Sequence, residues 1–271
     1  MHILIAITGI SQAEVAMHLG RLLHLILGGK ITILSIIKHD KDHTQAEATL
    51  IWAKTCLKSP VTEIETCIRK GHPAKQILRE ISSNSYDLLI IEESDHHKLK
   101  KQLFDPNVKR VLSKMPCPIL IAQGEPHQVK RILVCDSGRS PSLLNRLITQ
   151  FSPLLVYVDK LTVLHVMSQI AAKPGVRGWE LRADAQELIR EHTYEGKLLE
   201  EDLEKIEQLN ASLDARVRHG LVINEILAEA SIGDYDMVII GAHKSEGWQR
   251  FLLENIALDL VTQISQPLLV I

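Results

Sequence analysis

Short apolar blocks alternate along the chain with longer stretches of helical period. Ile3–Ile7, Ile31–Ile36, Leu88–Ile91 and Ile119–Ala122 are dominated by Ile, Leu and Val, the pattern of strands in a parallel sheet covered on both faces. Between the first two, Ser11–Gly28 places Val15, Leu19, Leu22, Leu23 and Ile26 on one helical face. Ser11 and Glu14 form an S-x-x-E capping box at its start, and Gly28-Gly29 supplies a stop. Strands alternating with helices, joined by right-handed crossovers, predict an open, doubly wound α/β sheet. Such a sheet puts its ligand site at the carboxyl ends of the strands, near the point where strand order reverses.

The pattern occurs twice. YDLLII at 86–91 returns as YDMVII at 235–240, an offset of 149. At the same offset GHPAKQIL (71–78) meets GLVINEIL (220–227), and Pro118 meets Pro267, so residues 71–121 align with the second copy without a gap. Upstream, HILIAITG (2–9) matches RILVCDSG (131–138) and ITILSI (31–36) matches LTVLHV (161–166), at offsets of 129 and 130. The difference is an insertion of about nineteen residues between Val166 and Gly220. A period this long means tandem domains rather than a solenoid. They are predicted at 1–124 and 129–271, joined near Gly124–Gln128, where Gly, Pro and polar residues collect. In the second copy Ser140-Pro141 opens the first helix, and Pro153 kinks or restarts it.

Composition narrows the class without naming a chemistry. A chain of 271 residues can bury roughly three quarters of its extended surface and needs no disulfide or metal to fold. A formal charge of −2, from 31 basic and 33 acidic residues, argues against a dedicated nucleic-acid or membrane-surface binder. Cys56, Cys67, Cys117 and Cys135 show neither CxxC pairing nor metal-ligand spacing and read as small buried hydrophobes. The N-terminal MHILIAITGI reads as a buried strand rather than a signal peptide, and no apolar run reaches membrane-spanning length. The expected compartment is the cytoplasm.

In order, HILIAITG, ITILSI, GHPAKQI, YDLLII and PCPILI, then RILVCDSG, LTVLHV, HGLVINEI, YDMVIIG and QPLLVI, the chain resembles the universal stress protein family in its tandem two-domain form. The resemblance covers nearly the whole chain. It implies two tandem Rossmann-like (adenine nucleotide alpha hydrolase-like) domains, each an open five-stranded parallel sheet of order 3-2-1-4-5 with helices on both faces. It also implies that the last strands, Ile119–Ala122 and Leu268–Ile271, pair as in the homodimers of single-domain relatives.

ATP-binding members of that family carry G-x-x-G-x9-G-[ST] after the fourth strand, where glycines let backbone N–H groups approach phosphate. In the second copy these positions are Gly241, Lys244, Glu254 and Asn255. Lys244 can attract phosphate and Asn255 can donate to it, whereas Glu254 sets an anion beside it. Two like charges about 4 Å apart at an effective dielectric near 20 repel by roughly 4 kcal/mol. In the first copy the positions are Glu92, Asp95, Asp105 and Pro106, with no glycine, and Asp105-Pro106 is an N-cap and first-turn proline that would itself satisfy the helix end. Thr8 and Ser137 align with the family's nucleotide-contacting aspartate, and Asp136 stands one position earlier, on the opposite face of a strand. The resemblance thus makes Asp136, Ser137, Val166, Gly241, Lys244 and Asn255 the candidate ATP contacts, all in the second domain.

Three other groupings have bland counterparts. Asp136, Ser137, His165 and His243 could form a reactive set, against the reading that His165 packs within its strand and the rest line a vestigial pocket. His39-Asp40-Lys41-Asp42-His43 and Asp95-His96-His97 resemble metal ligands, against solvated loop histidines, and no metal is expected. Glu180–Asp214 reads as an amphipathic helical region with a solvated charged face, or as a partner-docking surface, and Lys173–Trp179 as a flexible gate over the second-domain pocket. Two functions follow. The first is a non-enzymatic stress-response protein acting by ligand sensing or protein contacts, without catalytic residues. The alternative is an ATP-binding stress protein using only the second domain, with slow hydrolysis. The expected partners are the paired domains themselves, a homo-oligomer or another protein, and neither nucleic acid nor membrane.

Overall fold

The computed structural model describes residues 1–57, 63–92, 106–114, 117–124, 128–136, 143–167, 176–207, 209, 212–241 and 256–271. The chain divides into two compact units, Met1–Pro126 with Pro267–Val270, and His127–Gln266 with Ile271. Unit 1 runs β1 (His2–Ile7), α1 (Ile10–Leu27), β2 (Lys30–Ile37), a 3-10 turn (Asp40–Asp42), α2 (His43–Cys56), β3 (Ile64–Lys70), α3 (Pro73–Ser83), β4 (Leu88–Glu92), α4 (Pro106–Leu112) and β5 (Ile119–Ala122). Its parallel strands lie in the order β3-β2-β1-β4-β5. With right-handed crossovers that order sets α1 and α2 on one face and α3 and α4 on the other, and each pair packs together.

Unit 2 runs β6 (Arg131–Asp136), α5 (Leu143–Tyr157), β7 (Lys160–Met167), α6 (Ala185–Arg190), α7 (Tyr194–Glu207), β8 (Ser212–His219), α8 (Val222–Ile232) and β9 (Met237–Ile240). Its parallel order is β9-β6-β7-β8, and the Ile271 N–H donates to Ile240 O at 3.1 Å. Strand β10 (Leu268–Val270), counted in unit 1, runs antiparallel to β5 with Leu269 opposite Leu120. The central strands are the driest: Ile3, Leu4, Ile5, Leu88, Leu89 and Ile90 in unit 1, and Ile132, Leu133 and Val134 in unit 2, are fully buried. Each such side chain contributes about 1.5–3 kcal/mol by leaving water.

Local departures from the sequence pattern have physical reasons. Helix α1 starts at Ile10 with Gly9 extended at the cap position. Ser11 therefore lies inside the first turn and not at the N-cap position that the expected Ser11–Glu14 box assigns to it. On the same helix Ala13, Ala16, Met17, Leu19 and Leu23 are buried, while Val15, Leu22 and Ile26 are half-buried. Helix α5 kinks where expected: Phe151 has φ −129° and ψ 25°, two residues before Pro153, which lacks the N–H to continue the ladder. Strands β3 and β8 show no apolar block because they are half-exposed along most of their length. Glu180–Asp214 is accordingly not helical throughout, since Ser212–Asp214 already belongs to β8. The four cysteines are free and half-buried rather than fully buried.

The repeated motifs prove to be scaffold. Glu80 of α3, only 4% exposed, accepts hydrogen bonds from Arg69 Nε of β3 (2.6 Å), Asn84 Nδ2 (2.7 Å) and the Tyr86 hydroxyl (2.9 Å). Glu229 of α8, 1% exposed, accepts from Arg216 Nη1 (2.6 Å), Arg218 Nε (2.7 Å) and the Tyr235 hydroxyl (2.8 Å). One carboxylate in each unit thus clasps an edge strand, a crossover helix and the entry to the next strand. The aspartate of each YD pair ties down the neighbouring strand: Asp87 Oδ2 accepts from the His2 N–H at 2.7 Å, and Asp236 Oδ2 from those of Lys130 and Arg131 at 2.7 and 2.8 Å. The motif glycines Gly71 and Gly220 sit at φ +138° and +156°, backbone that L side chains rarely adopt, where β3 and β8 turn into their helices.

Burial opposes ionisation of Glu80 and Glu229, but hydrogen bonds from Arg69 and Tyr86, and from Arg218 and Tyr235, outweigh it and hold both carboxyls below their ordinary value. Burial, reinforced by the adjacent carboxylate, pushes Tyr86 and Tyr235 up to about 12. Because both Glu values are depressed, the clasps stabilise the fold above the ordinary glutamate value of 4.5, and that contribution is lost as pH falls below it. Arg69→Ala strands a buried carboxylate and is expected to lower urea stability by about 3–5 kcal/mol. Glu80→Gln with Glu229→Gln is expected to flatten the acid limb of the stability–pH curve. An unchanged urea midpoint for Arg69→Ala would contradict the clasp.

Candidate functional site

The carboxyl end of the unit 2 sheet gathers ionisable side chains from four elements. Asp136 is the last residue of β6, and its side chain is 6% exposed. The side chain points toward α5 and α7, because it interacts with Arg146 of α5 and hydrogen-bonds with Asp202 of α7. Asp202, 5% exposed, is also in an ion pair with Lys205 at 3.5 Å. His165 of β7 is half-buried and donates from Nδ1 to the Asp136 carbonyl at 3.3 Å. Glu195, in the first turn of α7, is buried near His165, and its Oε2 has no hydrogen-bond partner among the described residues.

Helix geometry puts the two acids of α7 in one line. Glu195, Leu199, Asp202 and Ile206 are spaced four, three and four residues apart and are all buried. The charged face of α7 is solvated as expected, with Lys197, Glu201, Glu204 and Glu207 exposed, while two further carboxyls follow the apolar stripe inward. The inserted segment seals the adjoining strand ends. Met167, Ala183 and Leu188 form a small apolar cluster joined by Val176, Leu181 and Val217, and His219 Nε2 donates to Ala183 O at 2.9 Å. Val176, from the expected gate, is thus packed; 173–175 lie outside the described residues.

The electrostatics follow from this burial. Burial, with the Asp136 charge second, pushes the Asp202 carboxyl up to about 7; Lys205 opposes the shift. Its protonated form donates to Asp136. Burial likewise pulls His165 below its ordinary value despite the Asp136 carbonyl and the Glu195 charge, so the imidazole is neutral at neutral pH. Burial also lowers Arg146, while Asp136 acts the other way.

Of the six expected ATP contacts, Ser137, Lys244 and Asn255 lie outside the described residues, as do Glu254, His243, Ser140, Pro141, Asp95, His96, His97 and Asp105. Asp136 is buried in the acid cluster. Val166 is half-buried and alternates with His165 and Met167 along β7, so it points to the face away from α7. Gly241 follows β9, and a Cβ built on it would stand 3.1 Å from Arg146 Nη2. At the corresponding end of unit 1, β4 closes with Glu92, whose Oε1 is buried. The 39–43 segment forms a 3-10 turn in which the His39 N–H donates to Asp42 Oδ2 at 3.0 Å and Asp40 pairs with Lys70. No group of three metal-ligating side chains occurs among the described residues. Arg146, Glu195 and Asp202 were not anticipated; the only signal for the acids was their spacing from Leu199 and Ile206.

The raised Asp202 value fixes a sign. Between the ordinary aspartate value of 3.8 and about 7 the fold keeps a proton that the unfolded chain has lost, so stability falls as pH rises through that window. Asp202→Asn is expected to abolish this slope and raise the melting temperature more at pH 8 than at pH 4. An equal shift at both would show that Asp202 is not buried as an acid.

A model of the Universal stress protein family matches residues 1–123 and again 128–271. A putative universal stress protein from Pseudomonas aeruginosa UCBPP-PA14 is 17% identical, with TM-score 0.71 over 100% of this chain and 92% of that one. A universal stress protein from Archaeoglobus fulgidus DSM 4304 is 16% identical, with TM-score 0.70 over 99% of this chain and 97% of that one. The functionally unknown protein PA1789 from Pseudomonas aeruginosa PAO1 is 16% identical, with TM-score 0.70 over 100% of this chain and 92% of that one. At these identities the structures speak for the fold alone. No curated protein matches the chain in sequence. No helix among the described residues is long and apolar enough to cross a membrane. With both halves matched in turn and the α/β architecture shared end to end, this chain belongs to the universal stress protein family, in a tandem two-domain form.

Proposed function

We propose that the protein is a non-enzymatic member of its family, acting in stress response by ligand sensing or protein contacts. The observation that carries this reading is that the Asp136 carboxyl is engaged by Asp202 and Arg146, and the His165 imidazole by the Asp136 carbonyl, within the packing of α5 and α7. A general base or nucleophile must instead meet a substrate proton or electrophile in a cleft. In unit 1, Glu92 holds a carboxylate where nucleotide-binding relatives need a bare backbone. The proposed setting is the cytoplasm, in keeping with four free cysteines.

A second reading, ATP binding by unit 2 alone with slow hydrolysis, draws on one observation: Gly241 stands beside the Arg146 guanidinium. An arginine there could meet phosphate oxygens with its paired donors. Mass spectrometry of nucleotide retained on purification, followed by calorimetry with ATP, separates the two. The proposal expects no saturable heat at millimolar ATP. Tight binding abolished by Gly241→Asp would overturn it in favour of the second reading.

A further inference from the structure

Away from the strand ends, the face of unit 1 built by α3 and α4 carries a cavity of about 370 Å³, lined by Lys75, Leu78, Arg79, Ser82, Arg110 and Lys114. That volume falls in the range of small-ligand pockets, about 300–1,000 Å³. Helical spacing creates it. Lys75 and Arg79 stand one turn apart on α3, and Arg110 and Lys114 repeat that spacing at the end of α4. Four cations thus face one hollow with no carboxylate among its lining residues. All four are exposed at the rim of the hollow.

The second copy shows that the fold does not require this charge. At the gap-free offset of 149, Leu78 and Ser82 correspond to Leu227 and Ser231. The cations Lys75, Arg79, Arg110 and Lys114 correspond to Asn224, Ala228, Asp259 and Gln263. The apolar and small positions are kept in both copies, while every cation is replaced. The positive charge is therefore particular to unit 1 and is not a requirement of the shared fold.

We propose that the α3–α4 groove of unit 1 is a binding site for a small polyphosphate. The two guanidinium forks fit phosphate oxygens in pairs, and the two lysines add point charges. A single phosphate group carries only about two negative charges, half of what four cations can meet, so a chain of linked phosphates matches the site better. Among the described residues no aromatic ring lines the cavity to stack on a base. Recognition rests on the phosphate chain.

The test is calorimetry of inorganic tripolyphosphate against the full chain at low and high salt. Saturable, salt-sensitive binding is expected, weakened at least about tenfold in Arg79→Ala/Arg110→Ala, the loss of one charged hydrogen bond or more. The charge-keeping Arg79→Lys/Arg110→Lys should retain part of the affinity. Gly241→Asp should retain all of it, which separates this site from any nucleotide site in unit 2. All four substituted positions of the groove are exposed, and a thermal melt checks that each variant is folded; Lys75→Ala/Lys114→Ala serves as the second variant. Unchanged affinity in both alanine variants, or loss only in Gly241→Asp, overturns the proposal. Tighter binding of a duplex oligonucleotide through the same residues overturns the ligand class.

Discussion

Burying an ionised carboxyl costs several kcal/mol unless positive charge and hydrogen bonds meet it in place. Both units meet that cost at the same repeated position, Glu80 and Glu229, with arginine from the edge strand and tyrosine from the entry to the next. The consequence reaches well past the pair. The edge strands β3 and β8 bury too little apolar surface to hold themselves by the hydrophobic effect, and the arginines they carry supply the missing anchor. With the edge fixed, the crossover helix is fixed as well. The next strand then enters beside β1 or β6, where Asp87 or Asp236 receives the backbone N–H groups.

That scaffold is common to both copies, and the two units differ in what is built at its margins. At the strand ends, unit 1 finishes β4 on a glutamate, and in unit 2 a glycine beside an arginine follows β9. In unit 2, helix α7 brings Glu195 and Asp202 down against Asp136 and His165. A site that in this architecture faces an incoming ligand is here lined from below by its own acids. Elsewhere in unit 1, α3, α4 and the turn after α4 carry four cations whose counterparts in unit 2 are uncharged or acidic. Duplication left one framework and two separate sets of polar surfaces.

Much of this was legible in the chain. The central strands could be read because they are buried on both faces and so must be apolar throughout; β5 was found residue for residue and β1 to within one. Pro153 announced its kink because a missing N–H is a property of the residue itself. The edge strands were invisible, since half-exposed strands tolerate Glu, Thr and Arg at alternate positions. The N-cap was misplaced for a related reason: the pattern names a cap at Ser11, but the helical backbone begins at Ile10 and sets the cap at Gly9.

By itself the sequence determined the framework: a doubled α/β chain, its central strands and its family. These follow from periodicity and residue chemistry, which act over a few neighbours along the chain. Which charges point inward was decided only by the tertiary structure. Asp136, Arg146, His165 and Asp202 come from four separate elements, and the cations of the α3–α4 groove from two. A charge is ordinary on a solvated helix and consequential in a cavity, and the difference lies in the dielectric and the partners that packing creates around it.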